Sequence, residues 1–360
     1  MPLWWLQLLL VAAWLFLAFA RAGFWREFLK WNQPPDLTGA PSVVAVVPAR
    51  NEAATVAKAI GSLAAQNYPG EFRIVLCDDG STDGTARLAK GADIVTASPL
   101  PAGWTGKLWA MREAVRVAEV NKPDYYLFTD ADITHDPANL QSLVARAQQG
   151  YDLVSYMATL NCRTPAEQLL IPAFVYFFFL LYPPALVRNP RSSAAGAAGG
   201  CILVRREALD RAGGLEAIRG ELIDDCALAK AVKRTGGRVY LSLSPETRSI
   251  RQYDTAGEIE RMIARTAFTQ LHYSFIALIG CTLGLMFAFL IPLALPPGGT
   301  IAWAILTLTY IPALRFYNVP AWQAPLLPFV ALYYLKATWH SAIAYYRGEG
   351  GAWKGRVLPR

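Results

Sequence analysis

Carboxylates at the end of a predicted strand are the first residues in this chain that could do chemistry. Asp130 and Asp132, in the segment FTDADITH, follow an apolar run with the character of a strand. Two carboxylates around one residue can hold a hard divalent cation, which keeps several waters and bridges substrate phosphates. The alternative is a loop cap, in which Asp136 and Pro137 complete the turn.

A second acidic pair, Asp78 and Asp79, ends the run FRIVLCDDGS and is followed by Gly80. Such a carboxylate can accept hydrogen bonds from a nucleobase N–H or from ribose hydroxyls. It could instead cap the helix that follows. Ligands of parallel sheets bind at the carboxyl ends of the strands. Two acidic strand ends at one edge therefore favour the binding interpretation.

Three basic residues are candidate partners for a diphosphate: Arg50, Lys107 and Arg265. A bidentate arginine and a point-charge lysine both suit phosphate. Lys107 is the best placed, because it begins a predicted helix in GWTGK and helix N-termini attract anions. Arg261 and Arg265 lie one turn apart just before an apolar run, so they could bind lipid headgroups instead.

A third acidic cluster, in ELIDDCAL, contains Asp224 and Asp225 and opens a predicted amphipathic helix. Acids in a first turn can simply complement the helix dipole. The alternative is a general base that takes the proton of an acceptor hydroxyl. The residues alone leave both readings open.

The elements that would position these residues alternate between strands and helices. Strands are predicted at 42–49, 72–81, 92–98 and 124–132, with helices at 51–66, 82–89 and 107–120 between them. This alternation predicts an α/β fold with βαβ units and a mostly parallel sheet. Farther along, a loop of small residues ending in Gly199 and Gly200 leads into another strand, and RVYLSLS is a further one.

The composition points to a membrane protein. Hydrophobic residues make up 54% of the chain and charged residues 17%, against about 25% charged in average soluble domains. Pro2 to Ala20 is almost purely apolar, and Arg21, Arg26 and Lys30 follow it. We predict an uncleaved transmembrane anchor with cytoplasmic residues after it. A cleaved signal peptide is the alternative, but the basic start that it needs is missing.

Four more apolar stretches follow, at 168–187, 273–295, 300–314 and 326–346. We predict that 168–187 lies in the membrane interface, because one crossing would separate Asp132 from Asp225. A buried helix of the soluble domain is the alternative. The last three are predicted to be transmembrane or interfacial helices, and 326–346 is not expected to be a simple crossing.

The predicted domains follow from these segments. They are an anchor at 1–30, a cytoplasmic domain at 31–272, membrane helices at 273–346 and a basic tail at 347–360.

Other classes are disfavoured by the residue inventory. The net charge is +7, but no Lys/Arg run interleaves with aromatic residues, so nucleic-acid binding is not expected. The five cysteines form no C-x-x-C pair, which is typical of free thiols in a reducing compartment. Three widely spaced histidines make a zinc site improbable.

Five motifs together resemble family 2 glycosyltransferases with the GT-A fold over about residues 42–270: VVPARNEAATV, CDDGSTDGT, GWTGK, FTDADITH and ELIDDCAL. The anchor, GCTLGL, the RFYN segment and the terminal GGAWKGR resemble the hopene-associated glycosyltransferase branch. Ceramide glucosyltransferases are more distantly similar. The resemblance then covers essentially the whole chain.

The resemblance implies an inverting transferase with a nucleotide-sugar donor and Mg2+ or Mn2+ as cofactor. Asp130 would touch the ribose or the ion, and Asp132 would bind the ion. Asp225 would be the catalytic base, and Asp224 stands where the family has Glu. The predicted substrate-binding residues are Pro48, Arg50, Glu52, Asp78, Asp79, Lys107, Asp130, Gly199, Gly200 and Arg265.

The family motif Q-x-x-R-W is degraded, because residues 262–266 keep only Arg265. With about three C-terminal apolar segments, this argues against polymer export. We predict transfer of a sugar to a membrane lipid, a hopanoid or another polycyclic or isoprenoid lipid, at the cytoplasmic face of a bacterial inner membrane. A nucleotidyltransferase on a related sheet and a non-catalytic membrane scaffold are the alternatives.

Overall fold

The computed structural model describes residues 4–29, 31 and 33–351, which divide into two compact units. The sheet unit comprises Trp31–Asn161 and Leu186–Arg251, as far as these are described. The apolar unit comprises Met1–Lys30, Cys162–Ala185 and Gln252–Gly351, again as far as described. Each unit is therefore built from segments that are distant in sequence.

The strands of the sheet unit form one eight-stranded sheet in the order β3-β2-β1-β4-β7-β6-β8-β5. The strands are β1 (Val43–Ala49), β2 (Phe72–Asp78), β3 (Asp93–Thr96), β4 (Tyr125–Phe128), β5 (Ile133–His135), β6 (Leu153–Thr159), β7 (Ile202–Arg205) and β8 (Val239–Ser249). β1 pairs in parallel with β2 and β4, and β2 with β3. β6 and β8 are also parallel, whereas β4–β7, β6–β7 and β5–β8 are antiparallel.

Fifteen α-helices occur in the described residues. They are α1 (Trp4–Leu15), α2 (Val56–Ala64), α3 (Thr85–Leu88), α4 (Gly106–Ala118), α5 (Asn139–Ala147), α6 (Pro165–Leu181), α7 (Pro184–Arg188), α8 (Arg206–Arg211), α9 (Asp224–Arg234), α10 (Ala256–Ala264), α11 (Ala267–Gln270), α12 (Phe275–Leu285), α13 (Ile291–Ala294), α14 (Gly298–Phe316) and α15 (Leu327–Tyr346).

The first half of the sheet follows from its apolar pattern. Every residue of β1 is buried, as expected of a central parallel strand covered on both faces. α2 buries Val56, Ile60 and Leu63, which are spaced to share one helical face. The predicted alternation of strands and helices is confirmed in this half, and the carboxyl ends of β1, β2 and β4 lie side by side.

The second half departs from a parallel sheet. β5 and β6 were not predicted from the sequence. β5 pairs antiparallel with β8, whereas β6 pairs antiparallel with β7 and in parallel with β8. β5 is only three residues long, too short for a periodic signal. The fold is therefore a mixed sheet flanked by helices, with its parallel half at the predicted site.

In the described residues, three helical stretches are long and apolar enough to cross a bilayer: Pro165–Arg188, Phe275–Ala294 and Gly298–Phe316. The last two belong wholly to the apolar unit, and the first belongs to it as far as Ala185. Trp4–Ala20 is a shorter apolar helix. Within the first stretch, α6 ends at Leu181 and α7 begins at Pro184. The helical stretch is thus interrupted at Pro183 and Pro184.

α6 is packed into the apolar unit by its aromatic residues. The ring of Tyr176 lies edge-on to Phe24 at 5.0 Å between centroids, and its hydroxyl is 2.8 Å from Oγ1 of Thr309. Thr164 and Glu167 form a reciprocal capping box at the start of the helix. The sequence-based domain limits remain predictions, although the structure groups 162–185 and 252–272 with the apolar helices.

Candidate functional site

Lys107 is the central cation of the site. It lies in the first turn of α4, where Oγ1 of Thr105 accepts a hydrogen bond from the Leu108 amide at 3.2 Å. Its Nζ is 3.1 Å from Oδ1 of Asp130 and 3.1 Å from Oδ2 of Asp224. One ammonium group therefore joins the strand end after β4 to the first turn of α9.

Asp225, next to Asp224, faces a glycine turn. Its Oδ2 accepts a hydrogen bond from the Gly199 amide at 2.8 Å, and its Oδ1 accepts one from the Cys226 amide at 2.7 Å. A Cβ added to Gly199 would lie 3.3 Å from both Oδ2 of Asp225 and Nζ of Lys107. A side chain at this position would therefore crowd the carboxylate and the ammonium group that the turn approaches.

The charges of this cluster shift one another's pKa values. Burial and, to a lesser extent, the neighbouring Asp224 carboxylate together raise the pKa of Asp225 to about 6, against the opposing effect of Lys107. Burial alone would lower the pKa of Lys107, but Asp130, Asp224 and Asp225 outweigh it and raise that pKa. Lys107 thus stays charged, while Asp225 has the pKa of a usable base near neutral pH.

A second group of predicted residues follows β1 and β2. Nη1 of Arg50 is 3.6 Å from Oδ2 of the buried Asp79 and also donates to the carbonyl oxygen of Asp79. Asp78 instead turns towards its own loop, where its Oδ1 accepts from the Ser81 amide at 3.2 Å. Asp78 thus stabilises the turn after β2 and does not cap α3, whose N-cap residue is Gly84, whereas Asp79 is held in an ion pair at the strand end.

Asp132 and Glu52 are joined by a residue that the sequence analysis did not predict. Nε of Arg251 is 2.6 Å from Oδ2 of Asp132, and its Nη2 is 3.3 Å from Oε1 of Glu52. Arg251 follows the end of β8 and lies 119 residues from Asp132 in sequence. Arg251 belongs to none of the motifs in the sequence. It reaches the site because β5 pairs with β8.

A buried chain of hydrogen bonds lies beneath both sets of residues. The Thr129 hydroxyl donates to the Gly200 carbonyl at 2.8 Å, so it accepts from Nε2 of His135 at 2.9 Å. Nδ1 of His135 then accepts from the Asn139 amide at 2.8 Å, and Asn139 Oδ1 accepts from the Thr247 hydroxyl at 3.0 Å. Burial lowers the pKa of His135 to about 4, so a neutral imidazole orients the Thr129 hydroxyl, which joins the strand end before Asp130 to Gly200.

Comparison with known proteins agrees with this geometry. Residues 44–213 match the model of the family described as Glycosyl transferase family 2. Residues 44–213 are thus similar to family 2 glycosyltransferases, which confirms the resemblance for four of the five motifs. Lys107, Asp130 and Gly199 lie within the matched residues, whereas ELIDDCAL lies beyond them.

The curated relatives match about a third of this chain. An undecaprenyl-phosphate 4-deoxy-4-formamido-L-arabinose transferase from Aeromonas hydrophila is 32% identical over 118 residues, which are 32% of this chain and 36% of the relative. The protein of the same name from Pseudomonas savastanoi is 33% identical over 112 residues, covering 30% and 33%. The chain thus spans about a third of the length of these relatives.

One solved structure is similar over nearly the whole chain. It is the mannosyltransferase PcManGT from Pyrobaculum calidifontis in complex with GDP-Man and Mn2+. The alignment covers 96% of this chain and 98% of that one, with a TM-score of 0.51 and 19% sequence identity. This likeness supports the GT-A fold assignment.

The residues of the family 2 site fit a divalent cation that binds together with a diphosphate. The described part of the chain holds no group of three or more His, Cys, Asp or Glu that could hold a metal alone. Mg2+ in proteins commonly uses one or two carboxylates with substrate phosphates and water. Asp130 and Asp132 supply hard oxygen ligands of this kind, and each is paired with a cationic side chain.

A small cavity brings six of the thirteen predicted site residues together. Its lining includes Pro48, Lys107, Asp130, Gly199, Asp224 and Asp225, with apolar side chains from α4, β7 and α9. Gly200 lies beside it, and a Cβ there would come within 3.1 Å of Cδ1 of Ile133. Arg265 is different, because it follows α10 in the apolar unit. Its place among the donor-binding residues stays a prediction.

Proposed function

We propose that the chain is an inverting, metal-dependent glycosyltransferase that moves a sugar from a nucleotide-sugar donor to a membrane lipid. The observation that carries the proposal is the position of Lys107 between Asp130 and Asp224. It puts the carboxylates of a donor-diphosphate site next to those of a base, at one edge of the sheet. A family 2 domain with such a juxtaposition can perform transfer in one step.

The donor side is assigned to residues after β1, β2 and β4. Pro48, Arg50 and Asp79 would line the nucleotide pocket, with Asp78 and Glu52 beside them. Asp130 and Asp132 would hold Mg2+ or Mn2+ on the donor diphosphate, where the ion supplies Lewis-acid stabilisation of the leaving group. Lys107 contributes a fixed positive charge where negative charge develops in the transition state.

The acceptor side is assigned to Asp225. Its carboxylate takes the proton of the acceptor hydroxyl as the hydroxyl oxygen forms a bond to the anomeric carbon. The bond from that carbon to the diphosphate oxygen breaks, and its electron pair leaves with the nucleoside diphosphate. Attack from the face opposite the leaving group inverts the anomeric centre.

The apolar unit supports a lipid acceptor. Three helical stretches long enough to cross a bilayer belong to the same chain as the site. The curated relatives are named as transferases to undecaprenyl phosphate, which supports a lipid acceptor as a class. The similarity to the hopene-associated branch makes a hopanoid the first acceptor to test.

The sheet supports placing the site on one side of the membrane. β6 precedes α6 and β7 follows it, yet the two strands are hydrogen-bonded neighbours. A single crossing by 165–188 would put these strands on opposite sides of the bilayer. We therefore propose that this stretch enters and returns on the cytoplasmic side of a bacterial inner membrane.

Product analysis tests the proposal. Purified protein with Mg2+ or Mn2+ is incubated with a panel of nucleotide sugars and a lipid extract that contains hopanoids and isoprenyl phosphates. Mass spectrometry should find a glycosylated lipid, NMR of the product should show the inverted anomeric configuration, and the released nucleotide should be a nucleoside diphosphate. Asp132→Asn and excess EDTA should each abolish transfer, because a ligand charge that stabilises the leaving group by several kcal/mol is lost.

Three outcomes would contradict it. Release of pyrophosphate instead of a nucleoside diphosphate would indicate a nucleotidyltransferase. No turnover with any donor would favour a non-catalytic role. Full activity in EDTA or in Asp132→Asn would remove the metal from the mechanism. The folded state of Asp132→Asn is checked by its melting temperature in detergent.

A further inference from the structure

Arg251 holds the carboxylate that the proposed reaction needs for its metal ion. Its Nε is 2.6 Å from Oδ2 of Asp132, and its Nη2 is 3.3 Å from Oε1 of Glu52. Glu52 is itself fixed, because its amide donates to Oγ1 of Thr85 at 2.8 Å. One guanidinium group thus bridges the turn after β1 and the turn after β4.

The backbone around Arg251 is fixed, but its side chain is not enclosed. The Ile250 amide donates to the Asp132 carbonyl at 2.9 Å, which extends the antiparallel pairing of Ser249 with Ile133. The side chain of Arg251 is 38% exposed, whereas those of Asp132 and Glu52 are each 12% exposed. The anions are therefore held in place, and the cation has room to leave.

The positive charge of Arg251 compensates the negative charge of Asp132. A mostly buried carboxylate is costly without a cation beside it, and Arg251 supplies that cation. A divalent ion at the same carboxylate would face repulsion from the guanidinium at close range. The guanidinium must therefore give up Asp132 to let an ion bind there. The planar guanidinium group can donate two parallel hydrogen bonds to a phosphate, so a diphosphate is a suitable second partner.

We propose that Arg251 is an exchangeable counter-ion of Asp132. Before the donor arrives it neutralises this carboxylate; when the donor binds, it turns to the donor diphosphate and releases Asp132 to the divalent cation. This inference rests on the proposed function and adds to it an order of binding. The metal alone should bind weakly, and a nucleoside diphosphate should tighten metal binding through reciprocal coupling.

The experiment measures Mn2+ binding by electron paramagnetic resonance in the purified full chain, with and without UDP or GDP. For wild type, the nucleotide should tighten Mn2+ binding. For Arg251→Ala, Mn2+ alone should bind about tenfold more tightly, because the guanidinium no longer competes with the ion for Asp132. The factor corresponds to the loss of about one charge-assisted hydrogen bond. The tightening by nucleotide should shrink in this variant, because the diphosphate has lost its guanidinium partner.

Two further variants control the measurement. Arg251→Gln removes the charge but keeps the length of the side chain, so it should behave like Arg251→Ala if the latter folds poorly. Arg248→Ala removes an exposed arginine three residues away on β8, whose partner is Asp136 at 3.1 Å. It should leave Mn2+ binding unchanged, because Asp136 is not in the site.

The outcomes separate this inference from the proposed function. If wild type binds Mn2+ with a nucleoside diphosphate but neither Arg251 variant binds Mn2+ alone more tightly, the exchange is wrong and the proposed function stands. If wild type binds neither nucleotide in the presence of Mn2+, both fail. Tighter Mn2+ binding in Arg248→Ala as well would assign the effect to general surface charge and overturn the exchange.

Discussion

Two cationic side chains hold the acidic edge of this sheet together, and they do so in different environments. Lys107 is 18% exposed, begins a helix and bridges Asp130 with Asp224. Arg251 is 38% exposed, follows a strand end and bridges Asp132 with Glu52. Each bridge joins two carboxylates from different elements, so the number of partners does not distinguish the two cations.

Burial and tethering do distinguish them. Lys107 is surrounded by three carboxylates that raise its pKa, and its helix start is capped by Thr105. We infer that Lys107 is a permanent part of the site, whereas Arg251 can be exchanged for another cation. In the proposed transferase, Lys107 would keep one positive charge fixed for the reaction, and Arg251 would neutralise Asp132 until a divalent cation binds there.

Removing the buried cation should have the largest effect. Lys107→Met should lower transfer at least about 10³-fold, because a fixed charge at the leaving group is lost. It should also cost about 3 kcal/mol of unfolding free energy, since the carboxylates around it lose their buried partner. Arg251→Ala should cost about 1 kcal/mol or less, as expected of a more exposed pair. Activity assays and melting temperatures in detergent measure both. Equal destabilisation by the two variants would contradict the inferred difference between Lys107 and Arg251.

Removing the base should have the next largest effect. Asp225→Asn should lower kcat by about 10²–10⁴-fold and leave the KM of the donor nearly unchanged, because this carboxylate faces the acceptor. Steady-state kinetics with varied donor measure both quantities. An equal loss of donor affinity would instead place Asp225 in the nucleotide site. A small loss of kcat would indicate an acceptor phosphate, which is already ionised and needs no base.

The dependence of activity on pH should reflect the ionisation of Asp225, with a smaller effect than the two substitutions. An aspartate acts as a base only when ionised, and the pKa of Asp225 is raised to about 6. Activity should therefore be complete above pH 7 and fall about tenfold per unit below pH 6. The measurement is kcat/KM between pH 4.5 and 8 at saturating metal. Asp225→Asn should lose this acid limb, and a limb near pH 4 in wild type would contradict the role of burial.

Much of the site could be predicted because its residues directly follow apolar strands or begin a helix. Asp79 directly follows β2, Asp130 lies two residues after β4, and Lys107 is the second residue of α4. Parallel strands place their carboxyl ends at one edge, so residues far apart in sequence could be assigned to one site. The sequence left two interpretations of Asp225 open, because acidic residues in the first turn of a helix also interact favourably with the helix dipole.

The sequence by itself determined the parallel half of the sheet, the apolar helices and the types of residue available for the reaction, because these depend on local patterns. Tertiary structure alone decided the rest. β5 has three residues and carries no periodic signal, yet its pairing with β8 brings Arg251 to Asp132. Likewise, the division of the chain into two interleaved units depends on contacts between distant segments, which no local pattern of polar and apolar residues encodes.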